Sequence, residues 1–312
     1  VRIVSLLPAA TEIVWALGLA DDLVGVSHAC DHPAAVVGRP VVTRPAAGPR
    51  TAPSSAVDAA DRAPTAGTPG SVEVLFDRVA ALRPDLVLAG PPPRGPAAAP
   101  GEAGGFDQSL RDVIDADATV VTLEPASIEG IFHAIATVGA MTDAEDEAVG
   151  LVEILRERLA DVEEEVEERR EQGHRPPRVV ALEWLDPLVA PGLWVPEQVR
   201  RAGGWDLLGS DGRPATSTTW EAIEDLDPEM ILLMPLGMHL ADVVATWRAG
   251  PRPASWGELQ AARRGQVFAL DGEAYFNRSG PRVVDGIELL AEIFDPAAFV
   301  DVAPAASWVP VQ

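Results

Sequence analysis

Ser27-His28-Ala29-Cys30-Asp31-His32-Pro33 gathers two imidazoles, a thiol and a carboxylate within five residues. These are donor types that bind zinc or copper. Yet Cys30 is the single cysteine of the chain, and no distant Cys/His pair completes a tetrahedral set around His28 and His32. A metal site made by the protein alone is therefore not expected. The segment follows the apolar run Leu23-Val24-Gly25-Val26, which reads as a strand. Asp31 and Pro33 then shape a turn, while His28 lines whatever cleft the end of that strand opens onto. There it can serve as an axial or outer partner to a metal carried inside a ligand.

Flat apolar contact is the second chemistry on offer. The chain has eight Trp and one Tyr, and several aromatics fall where strands end rather than inside them. Trp184 closes one strand, Trp194 follows Pro191-Gly192-Leu193, and Tyr275-Phe276 follow Val267-Phe268-Ala269-Leu270. Aromatics at the carboxyl ends of strands can stack on a planar ligand, because α/β proteins bind ligands there. Core packing is the competing reading: it suits Trp15 and Phe268, and for Trp184, Trp194 and Tyr275 both readings stand.

Several chemistries are excluded. All 24 basic residues are Arg, so no Walker lysine, Schiff-base lysine or lysine base exists. After the first strand, Ser5-Leu6-Leu7-Pro8-Ala9-Ala10-Thr11 has no glycine to let backbone approach a pyrophosphate. With 48 acidic residues the net charge is −24, a field that argues against nucleic acid or an anionic membrane surface as partner. No run approaches the ~18–20 apolar residues of a membrane span. The first residues, Val1 to Pro8, read as a strand, with neither signal peptide nor lipobox; on this ground alone a cytoplasmic location stays open.

The elements that must position these groups come in two matched sets. Arg2-Ile3-Val4-Ser5-Leu6-Leu7-Pro8 and Arg178-Val179-Val180-Ala181-Leu182-Glu183-Trp184 each open a half with a β-branched run after Arg. Later, Asp77-Arg78-Val79-Ala80-Ala81-Leu82-Arg83-Pro84-Asp85-Leu86-Val87-Leu88 is echoed by Glu221-Ala222-Ile223-Glu224-Asp225-Leu226-Asp227-Pro228-Glu229-Met230-Ile231-Leu232. In both, Pro stops a helix and an apolar run of the kind buried on both faces of a parallel sheet follows. Asp77 and Glu221 occupy the same place in the two copies. They are either ordinary surface acids or a pair set by pseudo-symmetry for a two-fold partner bearing Arg.

Between the halves a helix is predicted from about Asp143 to Gln172, with a Thr142/Glu145 capping box. Its apolar stripe is Leu151, Ile154, Leu155, Leu159, Val162 and Val166, and Gly173 with Pro176-Pro177 ends it. Glu163-Glu164-Glu165 and Glu167-Glu168 form its solvated side. Pro45–Gly70 and Gly90–Gly105 read as surface loops, and Pro304–Gln312 as a poorly ordered extension. The expected domains are thus an N-terminal α/β lobe over 1–140, a linking helix over 141–173, a C-terminal α/β lobe over 174–300, and a tail over 301–312.

These residues resemble those of the helical-backbone (class III) ABC-importer substrate-binding proteins, in particular the vitamin B12 (cobalamin)-binding branch. The resemblance runs through Arg2 to Ile13, Val24 to His28 with Cys30-Asp31, Leu82 to Val87, Glu183 to Pro187, Trp194 to Glu197, Ala202-Gly203-Gly204, and Asp271 to Arg282. It implies two Rossmann-like lobes with parallel sheets, joined by one long rigid helix, with a ligand cleft between them. It implies no catalysis and no intrinsic cofactor: the cobalt of cobalamin travels with the ligand. His28, Asp31, Trp184, Trp194, Glu273, Tyr275, Phe276 and Arg278 would contact that ligand. Asp77 and Glu221 would dock, one per lobe, into Arg pockets of an ABC permease dimer with its ATPase, from a monomer in an extracytoplasmic location. Where close relatives carry Cys-x-x-Cys, this chain has Gly90-Pro91-Pro92-Pro93-Arg94. A ferric siderophore or haem is the alternative ligand. A cytoplasmic metal-dependent or corrinoid-handling protein is the alternative from another class, and a third is an interaction protein that keeps the fold without its ligand.

Overall fold

The computed structural model describes residues 1–45, 72–90, 110–112, 114 and 117–311. They divide into two compact units. The first comprises Val1–Pro125, Glu129–Ile154 and Ser279–Pro281; the second comprises Ala126–Ile128, Leu155–Arg278 and Arg282–Gln312.

The first unit runs β1 (Ile3–Ser5), α1 (Pro8–Ala16), β2 (Leu23–Gly25), β3 (Thr43–Pro45), β4 (Val72–Val74), α2 (Phe76–Leu82), β5 (Leu86–Ala89) and β6 (Thr119–Thr122). Helix α3 (Ile128–Ala140) follows, then the start of α4 (Glu145–Glu171). Strands β2-β1-β5-β6 form a parallel sheet, and β3 pairs antiparallel with β4. Pro8 opens α1, where its missing N–H has no partner to lose and its fixed φ suits a helix. The core includes Val4, Val79, Val87 and Ala89, all fully buried.

The second unit contains β7 (Arg178–Leu182), β8 (Trp184–Leu185), β9 (Leu188–Ala190), α5 (Val195–Arg201), β10 (Trp205–Asp206), β11 (Thr216–Ser217) and α6 (Trp220–Leu226). It continues through β12 (Met230–Leu233), α7 (Leu240–Ala249), α8 (Gln260–Arg263), β13 (Val267–Leu270), α9 (Gly272–Tyr275), α10 (Val283–Phe294) and β14 (Trp308–Pro310). The main sheet has the order β10-β7-β12-β13-β14, and β8, β9 and β11 form a small antiparallel sheet. Strand β14 pairs antiparallel with β13, and the ring of Trp308 lies edge-on to Phe268 at 5.6 Å. The expected loose tail is thus corrected: Trp308-Val309-Pro310 closes one edge of this sheet.

The internal repeat holds at the level of hydrogen bonds. In each unit the opening strand lies second in the sheet and the post-helix strand third. Helices α2 and α6 are seven residues each, and both bury one residue completely, Val79 and Ile223. Both end on a left-handed residue before proline, Arg83 at φ 43° and Asp227 at φ 39°. Proline excludes the helical conformation at that position. The Arg that opens each half then closes its helix. Arg2 donates through its side chain to the Leu82 carbonyl and through its amide to Asp85, while Arg178 does the same to Leu226 and Glu229.

Helix α4 starts at Glu145, two residues later than the notional start at Asp143. The expected capping box does not form. Thr142 donates backward to the Val138 carbonyl at 2.7 Å, closing α3, and Asp143 takes a positive φ of 55°. Of the predicted stripe, Leu155, Leu159 and Val162 are buried, whereas Ile154 is 56% exposed and Val152 is buried instead. The helix is not a separate domain: it belongs to the first unit up to Ile154 and to the second from Leu155. Within the second unit Arg158 reaches Asp285 at 2.6 Å and Glu288 at 2.6 Å, and Arg169 reaches Asp295 at 2.7 Å, fastening the helix to α10 and the residue after it. Among the described residues no helix is long and apolar enough to cross a membrane.

Candidate functional site

In the first unit the segment after β2 is organised by hydroxyls. Thr43 Oγ1, at the start of β3, accepts from the His28 amide at 2.9 Å and lies 2.7 Å from His28 Nδ1 and 2.9 Å from Ser27 Oγ. Cys30 Sγ lies 3.1 Å from Thr11 Oγ1, which in turn donates to Ser5 Oγ at 2.9 Å. The imidazole of His28 and the thiol of Cys30 are thus drawn to different hydroxyls. Among the described residues no three His, Cys, Asp or Glu side chains assemble as a metal-binding group. His28 and Asp31 are both exposed. Arg94 and the Pro-rich stretch after Gly90 lie outside the described residues.

In the second unit the carboxyl ends of β7, β12 and β13, three neighbouring strands, carry most of the candidate residues. Glu183 follows β7, and its amide donates to Val189 of the neighbouring strand at 2.9 Å. Only 8% of Glu183 is exposed, and burial pushes its carboxyl up to about 8; an N–H from Gly192 offsets part of this rise. Gly192 has no room for a side chain, since a Cβ there would lie 2.2 Å from the Arg213 carbonyl oxygen. Leu193 beside it takes φ 55° and donates to that same carbonyl at 2.6 Å. Sequence reasoning did not single out Glu183 as a site residue; its place directly after the apolar run that forms β7 was the available signal.

The four aromatics expected to form a wall separate into two pairs. Trp194 and Phe276 are each 1% exposed, and the Trp194 indole N–H donates to the Phe276 carbonyl at 3.1 Å. They are core residues joining two loops and offer no face to a ligand as placed here. Trp184 and Tyr275 are only half-buried. Trp184 donates to the Asp186 carbonyl at 3.1 Å, which holds the indole against its own hairpin. The Arg282 guanidinium lies over the Tyr275 ring at 5.5 Å from its centroid, and burial holds the phenol above its ordinary range. Gln198 Nε2, fully buried, donates to the carbonyls of Tyr275 and Val283 and fixes the loop from below.

The two polar residues expected at the ligand's rim are turned to each other. Arg278 Nη2 lies 2.9 Å from Glu273 Oε1, with side-chain exposures of 3% and 7%. A guanidinium and a carboxylate enclosed together satisfy one another, because either alone would be costly to desolvate. One group at this edge was missed altogether: His239, at the start of α7, whose Nδ1 is 3.0 Å from Asp271 Oδ1. Asp77 and Glu221 stand exposed at the second position of their matched helices. The Glu221 carboxyl is held below the usual carboxylate range by its own amide and the Thr219 hydroxyl.

Two α/β units built mainly on parallel strands, with a helix shared between them and candidate residues at carboxyl strand ends, suit the binding of a small ligand. A family model described as periplasmic binding protein matches residues 3–274, and the chain belongs to that family. It is 26% identical over 302 residues to an uncharacterized ABC transporter substrate-binding lipoprotein, YvrC, of Bacillus subtilis (strain 168), covering 96% of this chain and 81% of that protein. It is 24% identical over 292 residues to a vitamin B12-binding protein of Vibrio cholerae, covering 92% and 86%. Among solved structures, a periplasmic heme-binding protein from Pseudomonas aeruginosa superposes with a TM-score of 0.70 at 22% identity, covering 95% of this chain and 93% of that one. The periplasmic vitamin B12-binding protein BtuF of Vibrio cholerae gives 0.63 at 22%, covering 95% and 97%. These two show a common fold.

Proposed function

We propose that this substrate-binding protein captures a metal-bearing macrocycle, foremost a corrinoid, outside the cytoplasm and delivers it to an ABC permease and its ATPase without chemical change. The observation that carries this reading is the pair Trp184 and Tyr275. They are half-open aromatic surfaces after β7 and β13, the strands that flank β12. Such surfaces suit a broad, flat ligand with hydrogen-bonding edges. The sequence similarity to vitamin B12-binding proteins and to a lipoprotein of ABC import supports both the cargo and the location.

Charge supports the same choice. A net charge of −24 disfavours a polyanionic chelate more than a neutral or cationic corrinoid. An anionic siderophore would call for open arginines, and Arg278 is enclosed with Glu273. Asp77 and Glu221, exposed on matched helices, are assigned to docking on Arg-bearing pockets of the permease.

The test is a thermal-shift and calorimetry series with cyanocobalamin, haem and a ferric hydroxamate siderophore. A ligand that binds only the native state stabilises it by about 2.7 kcal/mol at a hundredfold excess over its Kd. A rise in Tm with cyanocobalamin is expected; a rise with the siderophore alone would overturn the assignment.

A further inference from the structure

The geometry points to Arg252 as a second docking residue of the C-terminal unit, held on a tryptophan platform next to the Glu221 helix to receive a carboxylate of the ABC permease. The inference rests on the proposed docking role of Glu221 and adds to it a contact of opposite charge. Glu221 is the second residue of α6, and Trp220 is the first. The Trp220 ring meets Trp247 of α7 at 6.4 Å and Trp256 at 5.6 Å, and those two rings meet each other at 5.2 Å. Trp247 is buried, with 3% exposure, whereas Trp220 and Trp256 are half-buried. The Arg252 guanidinium lies 3.7 Å over the Trp247 ring and 5.9 Å from the centre of Trp256. Arg252 and Trp220 therefore contact the same two indoles. The loop that carries Arg252 and Trp256 is also fastened to α6 and its C-terminal cap: Ser255 Oγ donates to Glu224, and the Gln260 amide donates to Asp227 at 2.8 Å.

The charge of Arg252 is left without an acid. Its Nη1 donates to the Gly250 carbonyl at 2.7 Å, and among the described residues no carboxylate pairs with it. Other arginines of the chain do find one: Arg44 reaches Glu73 at 2.6 Å, Arg158 reaches Glu288 at 2.6 Å, and Arg169 reaches Asp295 at 2.7 Å. With 48 acids to 24 arginines, carboxylates are not scarce. Burial pulls the Arg252 guanidinium down from its ordinary value, and no acid acts against that fall. The end of α7 and the indole face offset part of the desolvation. Capping of α7 uses one of the five N–H groups, which leaves a fork able to hold a carboxylate bidentately.

Trp and Arg are the residue types that dominate binding at protein interfaces, and a guanidinium already stacked on a ring loses little freedom on pairing. Trp15 is the single tryptophan before Trp184, so the N-terminal half, which carries Asp77, has no such platform. The face around α6 thus asks for an arginine opposite Glu221 and an acid opposite Arg252. A second copy of this chain also offers carboxylates, but a net charge of −24 opposes its association with itself.

The experiment measures binding of the full chain to its cognate permease–ATPase complex in detergent, by interferometry, for wild type, Glu221→Gln, Arg252→Glu and Arg252→Gln. Thermal midpoints check that each variant is folded. Should Arg252→Glu lower the midpoint, Arg252→Gln, whose amide can keep the bond to the Gly250 carbonyl, carries the comparison. Arg252→Glu is expected to weaken permease binding by about tenfold or more, and Arg252→Gln by a smaller factor. A loss in Glu221→Gln with wild-type binding in both Arg252 variants overturns the role of Arg252 and leaves the docking reading intact. Wild-type binding in all three variants removes docking at this face, and the inference falls with it. An Arg252-dependent dimer of the isolated protein in light scattering would assign the platform to a second copy and overturn the permease as its partner.

Discussion

Trp194 reaches across the C-terminal unit to donate its indole N–H to the Phe276 carbonyl at 3.1 Å, and both rings are sealed from solvent. The bond ties the turn before α5 to the loop after α9, so Trp194 is part of the scaffold. Trp184 remains half-open on its hairpin. The two tryptophans should therefore respond differently to truncation. Trp194→Ala is expected to cost about 3–5 kcal/mol of stability. Trp184→Ala should leave the unfolding midpoint nearly unchanged and weaken cobalamin binding by at least about tenfold, or about 1.4 kcal/mol. Denaturant unfolding and calorimetry on both variants separate the roles.

The enclosed Arg278–Glu273 pair predicts an asymmetry. Arg278→Ala leaves an unpaired carboxylate in a buried position and should destabilise by about 3–5 kcal/mol. Replacing both residues with apolar ones of similar size should recover much of that loss. A double-mutant cycle by urea unfolding measures it; an additive double variant would show that the two side chains do not depend on each other.

Glu183 sets a pH dependence of definite sign. Its folded pKa of about 8 lies above the ordinary 4.5, so the folded state holds the proton more tightly than the unfolded chain. The stability it contributes is fully present below pH 4.5 and is lost as pH rises through about 8. Glu183→Gln should abolish this slope, making the variant more stable than wild type by about 2–4 kcal/mol at alkaline pH. Urea midpoints between pH 5 and 9 check it, with parallel curves as the opposing result.

Asp77 and Glu221 predict a transport defect without a binding defect. Asp77→Arg or Glu221→Arg should leave ligand affinity and Tm unchanged, since both residues are exposed and surface changes typically stay within about 0.5 kcal/mol. Uptake by a reconstituted transporter should fall about tenfold or more if either acid meets a permease arginine, a charge reversal costing the 2–5 kcal/mol of a buried interfacial pair. Undiminished uptake in the double reversal would remove the docking role.

The repeat was legible because it is written in local chemistry. A proline after a short helix dictates a stop, and the Arg and acid at matched offsets found matched partners: Arg2 with Leu82 and Asp85, Arg178 with Leu226 and Glu229. The Thr142 cap was misread because a hydroxyl can serve either of two adjacent helices, and the choice fell to the one before it. His239 went unnoticed because nothing near it in the chain marks it; its partner Asp271 is 32 residues away.

By itself the sequence determined the class: two α/β halves with parallel strands, no lysine chemistry, an acidic surface, and aromatics and acids at recognisable places. Those features depend on residue type and on spacing over a few residues, which a linear chain displays. Only tertiary structure decided which of the aromatics are wall and which are core, that Glu273 and Arg278 neutralise each other, and that Asp271 meets His239. Each of these turns on burial and on contacts between residues remote or reoriented in the chain, and desolvation has no signature along a sequence.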